Sequence, residues 1–384
     1  MKSRIHIIMK HDLVNYPPMQ SLLEVLTELG REVFYLGLCT DARKREYYEK
    51  KGVKFIPITY IPKVGALAMI KTQFAYRKSV KEYVRDNYKK DTDLIWYEYT
   101  DSAYMLYEVL KGTDYLVHFY EFTRIKFSWK YELLYRGYDM GDFVRGACAV
   151  IHCEYNRAHI TRGLFGLKNL PFVLPNKPYP DNANYDNIPD EVQILVDSVK
   201  GKIAGRKAIL YQGVFESNER RLEEFCEAIK EMPEDYVLVA MGGGAGYYEN
   251  LKKRYESDRI LFVPFIKSPY HLLVTKLASI GVLSYFPLDN SYAGVINPLY
   301  CAPNKIFEYS KFGIPMISND LPGLKAMYHE FNCGRVVPYP ITPTSIVNTI
   351  SDIMNDYERI SEGSKKFYNS VNVKEIVTKI LSAI

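Results

Sequence analysis

Short β-rich apolar runs alternate with helix-period segments along nearly the whole chain, and a proline- and asparagine-rich break interrupts them near the middle. Together these predict an α/β fold of two Rossmann-like domains. The carboxyl ends of the two sheets are expected to face a central cleft, where ligands of open α/β sheets bind. A final helical segment, Ser361 to Ile384, has nothing after it to pack on and is expected to cross back onto the first domain.

The first half predicts strands near 4–9, 32–37, 53–57, 93–97, 115–119, 148–152 and 171–174, with helices such as 19–30, 66–89, 101–111 and 155–165 between them. Seven strands complete one doubly wound layer. From Pro175 to Asn184, three prolines and three asparagines fall within ten residues, a composition that supports neither helix nor strand. The first domain is therefore placed at 1–177, together with a helix at about 361–384, and the second at 178–360. The second series has strands near 207–212, 236–241, 260–263, 280–285, 315–318 and 334–337. Its helices are read near 219–231, 246–256, 269–278, 304–312, 322–329 and 343–356.

With 384 residues, 47% hydrophobic and 25% charged, the composition is that of a globular protein of about two domains and excludes disorder, collagen and coiled coil. No apolar run reaches the roughly 18 to 20 residues that span a bilayer. The longest candidate, Leu272 to Leu288, is cut by Lys276 and Pro287. The start, Met1-Lys2-Ser3-Arg4, runs straight into the strand-like Ile5 to Met9, too short for a signal-peptide core, so a cytoplasmic location is expected. Six cysteines lie scattered with no C-x-x-C pair, so neither a structural metal nor disulfides are expected. Residues 1–180 carry 28 Lys and Arg against 20 Asp and Glu, a net +8, whereas the rest carries −3. The basic half should face anions. No nucleic-acid motif accompanies it, which leaves an anionic membrane surface as the expected partner. The basic aromatic stretches Lys71 to Lys78 and Arg124 to Lys130 suit headgroups, or else are solvated helix faces.

The segment Asn297 to Ser318 reads as loop, helix, turn and strand. Asn304 is placed to cap the helix after Pro303, so that free backbone N–H groups and Lys305 meet a phosphate. Glu308, three residues on, shares the face of Lys305 and offers a carboxylate for two hydroxyls. By itself a lone Glu on a helix is more often a solvated residue, here paired with Lys305 or Lys311.

This block, with Gly313-x-Pro315 and Asn319-Asp320-Leu321-Pro322-Gly323 behind it, resembles the P-x-K-x-x-E-Y…G-x-P-x-I-x-S-D-x-P signature of GT-B glycosyltransferases, family 4-like enzymes of bacterial surface-polysaccharide pathways above all. Looser likeness covers Leu210 to Gly213 with Arg220-Arg221-Leu222, Leu238 to Gly244, Phe262 to Ile266 and Val173 to Asn176; it reaches from about residue 148 to 340. The resemblance implies a hexosyltransferase-like enzyme. It would move sugar from a UDP- or GDP-sugar to a saccharide or lipid-linked saccharide in cell-surface polysaccharide synthesis, with retention and with no metal or other cofactor. Glu308 would hold ribose hydroxyls, Lys305 and Arg220 the diphosphate, and Phe265 and Ile266 would flank the base; Asn304, Asn297 and Gly243 would complete the donor site. Arg220 could instead pair with Glu216, Glu223 or Glu224, and Phe265-Ile266 could be a buried strand end. In the first domain Glu121 is the candidate for contacting a sugar hydroxyl or assisting acceptor deprotonation, with His118 second. Three positions depart from the pattern: Tyr300 replaces a second Glu, Val214 an Arg after Gly213, and Tyr120 a His. A sugar-nucleotide epimerase of the same frame and a catalytically dead nucleotide-sugar-binding subunit are the rival readings. Asp91-Thr92-Asp93 matches the D-x-D metal motif of the other glycosyltransferase fold but precedes its strand instead of ending it. It is not expected to bind metal.

Overall fold

A computed structural model of the chain describes residues 2–58, 60, 64–98, 102–122, 129–135, 137–181, 188–244, 246–288 and 291–384. The apolar runs become two fully parallel sheets, one in each of two units. The first unit is Met1–Asp181 with Asn372–Ile384, and the second is Asn182–Val371.

In the first unit the strands are β1 (Arg4–Asp12), β2 (Glu32–Leu38), β3 (Lys54–Ile56), β4 (Asp93–Glu98), β5 (Tyr115–Phe119), β6 (Ala149–His152) and β7 (Phe172–Val173). Their order is β3-β2-β1-β4-β5-β6-β7. In the second they are β8 (Lys207–Val214), β9 (Tyr236–Gly243), β10 (Ile260–Pro264), β11 (Ile280–Leu283), β12 (Met316–Asn319) and β13 (Gly334–Val337), ordered β10-β9-β8-β11-β12-β13. Both orders reverse direction beside their first strand, the doubly wound pattern that opens a crevice at the carboxyl ends of the two strands flanking the reversal. That place lies between β1 and β4 in one unit and between β8 and β11 in the other.

The pleat explains why these strands read as continuous apolar runs. Along the second sheet Ala208, Leu210, Val237, Val239, Leu261 and Val263 enter one core, while Ile209, Tyr211, Leu238, Ala240, Ile260 and Phe262 enter the core on the other face. A parallel sheet covered on both faces gives no polar alternation.

Two expected boundaries move. The division falls after Asp181 and not at 177, because Tyr179 is tied to the first unit: its N–H donates to Ser21 Oγ at 2.9 Å and its hydroxyl to Glu28 at 2.6 Å. Part of the expected break, residues 182–187, lies outside the described residues. The single terminal helix expected over 361–384 is two. Tyr357–Ser370 stays in the second unit, where Ser364 Oγ donates to the carbonyls of Ile314 and Cys333 at 3.1 and 3.2 Å. After Val371, Asn372 caps a new helix, Val373–Ser382, by accepting from Glu375 N–H at 3.1 Å. This helix buries Val373, Val377, Ile380 and Leu381 in the first unit and pairs Lys374 with Glu28 at 3.0 Å.

Candidate functional site

Lys305 opens the helix Lys305–Lys311, whose inner face fixes where its side chain points. Ile306, Phe307, Tyr309 and Ser310 are buried. The Tyr309 hydroxyl donates to the Leu210 carbonyl of β8 at 3.1 Å. Gly281 of β11 makes room for that ring, because a Cβ there would lie 2.4 Å from it. Phe307 stacks on Phe367 with centroids 5.2 Å apart. Held this way, the helix places Lys305 Nζ 4.8 Å from the Tyr211 ring of β8 and 5.0 Å from the Tyr285 ring just beyond β11. The ammonium therefore sits at the reversal point of the sheet. Beneath it lies Gly213, with φ +137°, where a Cβ would come within 3.1 Å of Nζ.

Lys305 is 9% exposed, and its Nζ has no hydrogen-bond partner among the described residues. Burial, followed by the charge of Arg220, pulls its pKa down to about 7. The two tyrosine faces act in the opposite sense and favour the cation. Arg220 lies 5.5 Å over the Tyr285 ring with Glu219 at 3.7 Å. Its loop is pinned to the end of β11: Phe286 N–H donates to the Glu219 carbonyl at 2.7 Å and Ser284 Oγ to the Arg221 carbonyl at 2.6 Å.

One turn along, Glu308 is nearly buried, its side chain 15% exposed. His271 Nε2 lies 3.1 Å from Oε1, and Gln212 Nε2 donates to Oε2. Gln212 is fixed in turn by Thr275 Oγ1, which donates to its Oε1 at 2.7 Å. Burial alone would raise the Glu308 pKa; His271 by charge and hydrogen bond, then Gln212 and Lys305, outweigh it and hold the carboxylate below the usual range. The result is an ionised, oriented carboxylate beside a buried cation.

The other expected donor residues divide. Asn304 has helical φ and ψ, −54° and −30°, and makes no side-chain capping bond, since capping by a side chain needs an extended residue. With only seven residues in that helix, the cation and not the helix end is what can hold an anion. The loop expected to begin at Asn297 begins at Tyr300: Asn297 lies on a helix, Tyr292–Leu299, whose Ser291 cap accepts from Gly294 N–H at 3.0 Å. Phe265 is 73% exposed beyond β10, whereas Ile266 is 4% exposed and packs in the core, so the expected pair around a base is reduced to Phe265. Gly243 ends β9 in open space, while its neighbours are crowded: a Cβ on Gly242 would lie 1.8 Å from the Gly213 carbonyl and one on Gly244 2.1 Å from that of Phe215.

No family profile matches the chain, and no curated protein matches it in sequence. Solved structures do match in shape. HepE from Anabaena in complex with UDP superposes with a TM-score of 0.67 over 100% of both chains at 14% identity. Sucrose-phosphate synthase from Thermosynechococcus elongatus gives 0.67 over 99% of this chain and 98% of that one at 16% identity. A candidate UDP-N-acetylglucosamine 2-epimerase from Listeria monocytogenes gives 0.61 over 100% and 96% at 13% identity. The chain has the GT-B fold.

In GT-B terms the cluster around Lys305 belongs to the carboxy-terminal unit, and the remaining two expected residues belong to the amino-terminal one. Glu121 is exposed just past β5, in a turn anchored by Arg157 Nη1 and Cys153 Sγ, each donating to the Tyr120 carbonyl at 3.0 Å. His118 is 1% exposed; its Nδ1 accepts from Trp96 Nε1 at 3.3 Å, and burial pulls its pKa down to about 3. Such an imidazole stays neutral and is a poor proton acceptor, so His118 does not fit the role expected of it. Asp93 is a structural group, wholly buried with His6 Nε2 at 2.8 Å and Arg4 at 3.0 Å. Sequence reading missed Gln212, His271, Tyr211 and Tyr285, which touch the two key side chains, and Thr275, which holds Gln212. Gln212 lies 96 residues from Glu308 and 63 from Thr275, so only the fold brings them together.

Proposed function

We propose that this chain is a glycosyltransferase whose second unit binds a nucleotide-diphosphate sugar and whose first unit binds the acceptor. The observation that carries the reading is the buried Lys305 ammonium without a hydrogen-bond partner among the described residues, beside an oriented carboxylate at the sheet's reversal point. A buried cation is costly unless something anionic pairs with it. A diphosphate does so, and the 2′ and 3′ hydroxyls of the attached ribose suit the lone pairs of Glu308 that Gln212 and His271 leave open. Lys305 and Arg220 then meet the negative charge that builds on the departing nucleoside diphosphate, a task these two cations perform without a metal ion. Glu121 contacts the donor sugar or accepts the acceptor's proton, and transfer proceeds with retention.

Calorimetric titration with UDP, GDP and their sugars tests the donor half. Glu308→Ala is expected to weaken binding tenfold or more, about 1.4 kcal/mol; unaltered affinity removes Glu308 from the site. The epimerase-like neighbour supports a second reading. Incubation of donor alone separates the two: product with one sugar carbon inverted, formed without acceptor, favours the epimerase, while glycoside formed only with a saccharide acceptor favours transfer.

The acceptor is assigned as a saccharide or lipid-linked saccharide of cell-surface polysaccharide synthesis, reached at the inner membrane face. The helix Ala66–Asn87 supports this: it buries Gln73, Tyr76, Val80 and Val84 and leaves Leu67, Lys71, Phe74, Lys78 and Lys81 exposed along one stripe. Phe74 stacks at 6.3 Å on Tyr135, which follows the short helix Trp129–Leu134 with Trp129 69% and Leu133 55% exposed. Of the other basic stretch, residues 124–128 and the side chain of Lys130 lie outside the described residues.

A further inference from the structure

We infer that Gln212, Thr275 and His271 are positioning residues that set how strongly the site selects a ribonucleotide over a deoxyribonucleotide. This rests on the donor reading above and concerns groups that touch no ligand themselves. A carboxylate has about four lone-pair directions, and a free one on a helix swings through several rotamers. Glu308 is held on both oxygens, by His271 at Oε1 and by Gln212 at Oε2. The Gln212 amide could present either its oxygen or its nitrogen to Glu308. The ionised carboxylate, which can only accept, takes the NH₂ group, and the Gln212 Oε1 turned away from it is held by the Thr275 hydroxyl, which donates to it at 2.7 Å.

Thr275 is wholly buried, so water cannot take over that task. It sits one turn after His271 on the same short segment, its hydroxyl oxygen 3.1 Å from the His271 carbonyl. Both arms of the clamp therefore hang from one piece of chain. Two protein donors consume one lone pair on each oxygen and leave one on each, the number that a ribose diol needs. The Lys305 half, by contrast, is built from Tyr211, Tyr285 and Gly213 and shares only the strand with Gln212. Loss of the clamp should cost sugar selectivity and spare the grip on phosphate.

The experiment is equilibrium binding of UDP, 2′-deoxy-UDP and inorganic pyrophosphate, with GDP and 2′-deoxy-GDP in parallel. The proteins are wild type, Gln212→Leu, Thr275→Val, Thr275→Ser and His271→Phe. Wild type is expected to prefer the ribonucleotide by about tenfold. Gln212→Leu, Thr275→Val and His271→Phe should bring that ratio to below about threefold while pyrophosphate binds within about twofold of wild type, and Thr275→Ser should restore the ratio. If wild type binds none of the nucleotides, the donor reading falls and takes the inference with it. If wild type discriminates and the Leu, Val and Phe variants keep the full ratio, the donor reading stands and the clamp is overturned. Equal loss of pyrophosphate binding in Thr275→Val with no rescue by Ser also overturns it.

Discussion

Lys305 is the residue on which the site turns, and its cost and its use have the same origin. An ammonium taken out of water without a partner destabilises the unliganded protein, and replacing such a group by an apolar chain of similar length is often stabilising. Lys305→Met is therefore expected to raise the Tm of the free protein by about 2–4 °C per kcal/mol gained and to lower UDP or GDP affinity at least tenfold. Calorimetric melting with parallel titration reads both, and a lower Tm would contradict the account. The pH dependence follows from the same group. With a folded pKa of about 7 against an ordinary 10.5, the unfolded chain holds a proton that the folded one lacks between those values, so the free protein gains stability as pH rises from about 7 to 10.5. Binding a diphosphate requires the charged form. At pH 8 it should draw close to one proton from solution, and affinity should fall above pH 7 by up to about tenfold per unit. Titration calorimetry in buffers of different ionisation heat measures the uptake; none at pH 8 would refute the role.

Among the elements, the end of β9 separates packing from function. Gly242 cannot accept a Cβ, with the Gly213 carbonyl 1.8 Å from where it would stand and its own φ at +148°, whereas Gly243 faces open space. Gly242→Ala is expected to destabilise the second unit by several kcal/mol, with Gly213 displaced from beneath Lys305. Gly243→Ala should leave the urea midpoint within about 0.5 kcal/mol of wild type and weaken nucleotide binding if ligand lies against it. Equal midpoints for the two variants would undo the distinction. These strands were legible from sequence because buried parallel strands advertise themselves as unbroken apolar runs; β8, with Ala208 to Tyr211, is an instance. The helix Tyr292–Leu299 was not, because Pro298 and the following Pro303 read as loop while the proline in fact sits in the helix's last turn. Within the site, Lys305 and Glu308 were singled out by the likeness of their block to the GT-B signature, since their spacing on one helix alone also suits a solvated pair. Their supports were not: a glutamine on a strand or a threonine on a four-residue helix looks like any other until the sheet order puts them side by side.

At the scale of the molecule, net positive charge and exposed large apolar side chains are concentrated on the first unit. The membrane reading makes a measurable claim. Lys71→Glu combined with Lys78→Glu and Lys81→Glu should abolish co-sedimentation with vesicles containing anionic phosphatidylglycerol, and wild type should ignore purely zwitterionic vesicles. Each lysine contributes about 1 kcal/mol near such a surface, so a triple reversal should reduce binding at least a hundredfold. Binding unchanged by the triple variant would sink the reading without touching the donor site.

The chain leaves the first unit after Asp181 and re-enters it only at Asn372. The second unit is thus an insertion within the first, and the order of synthesis differs from the order of completion. A ribosome delivers every residue of the second unit before it releases the helix Val373–Ser382 that packs into the first. A message truncated just past codon 371 would yield a chain whose later half is whole and whose earlier half is unfinished, so quality control would act on the part made first.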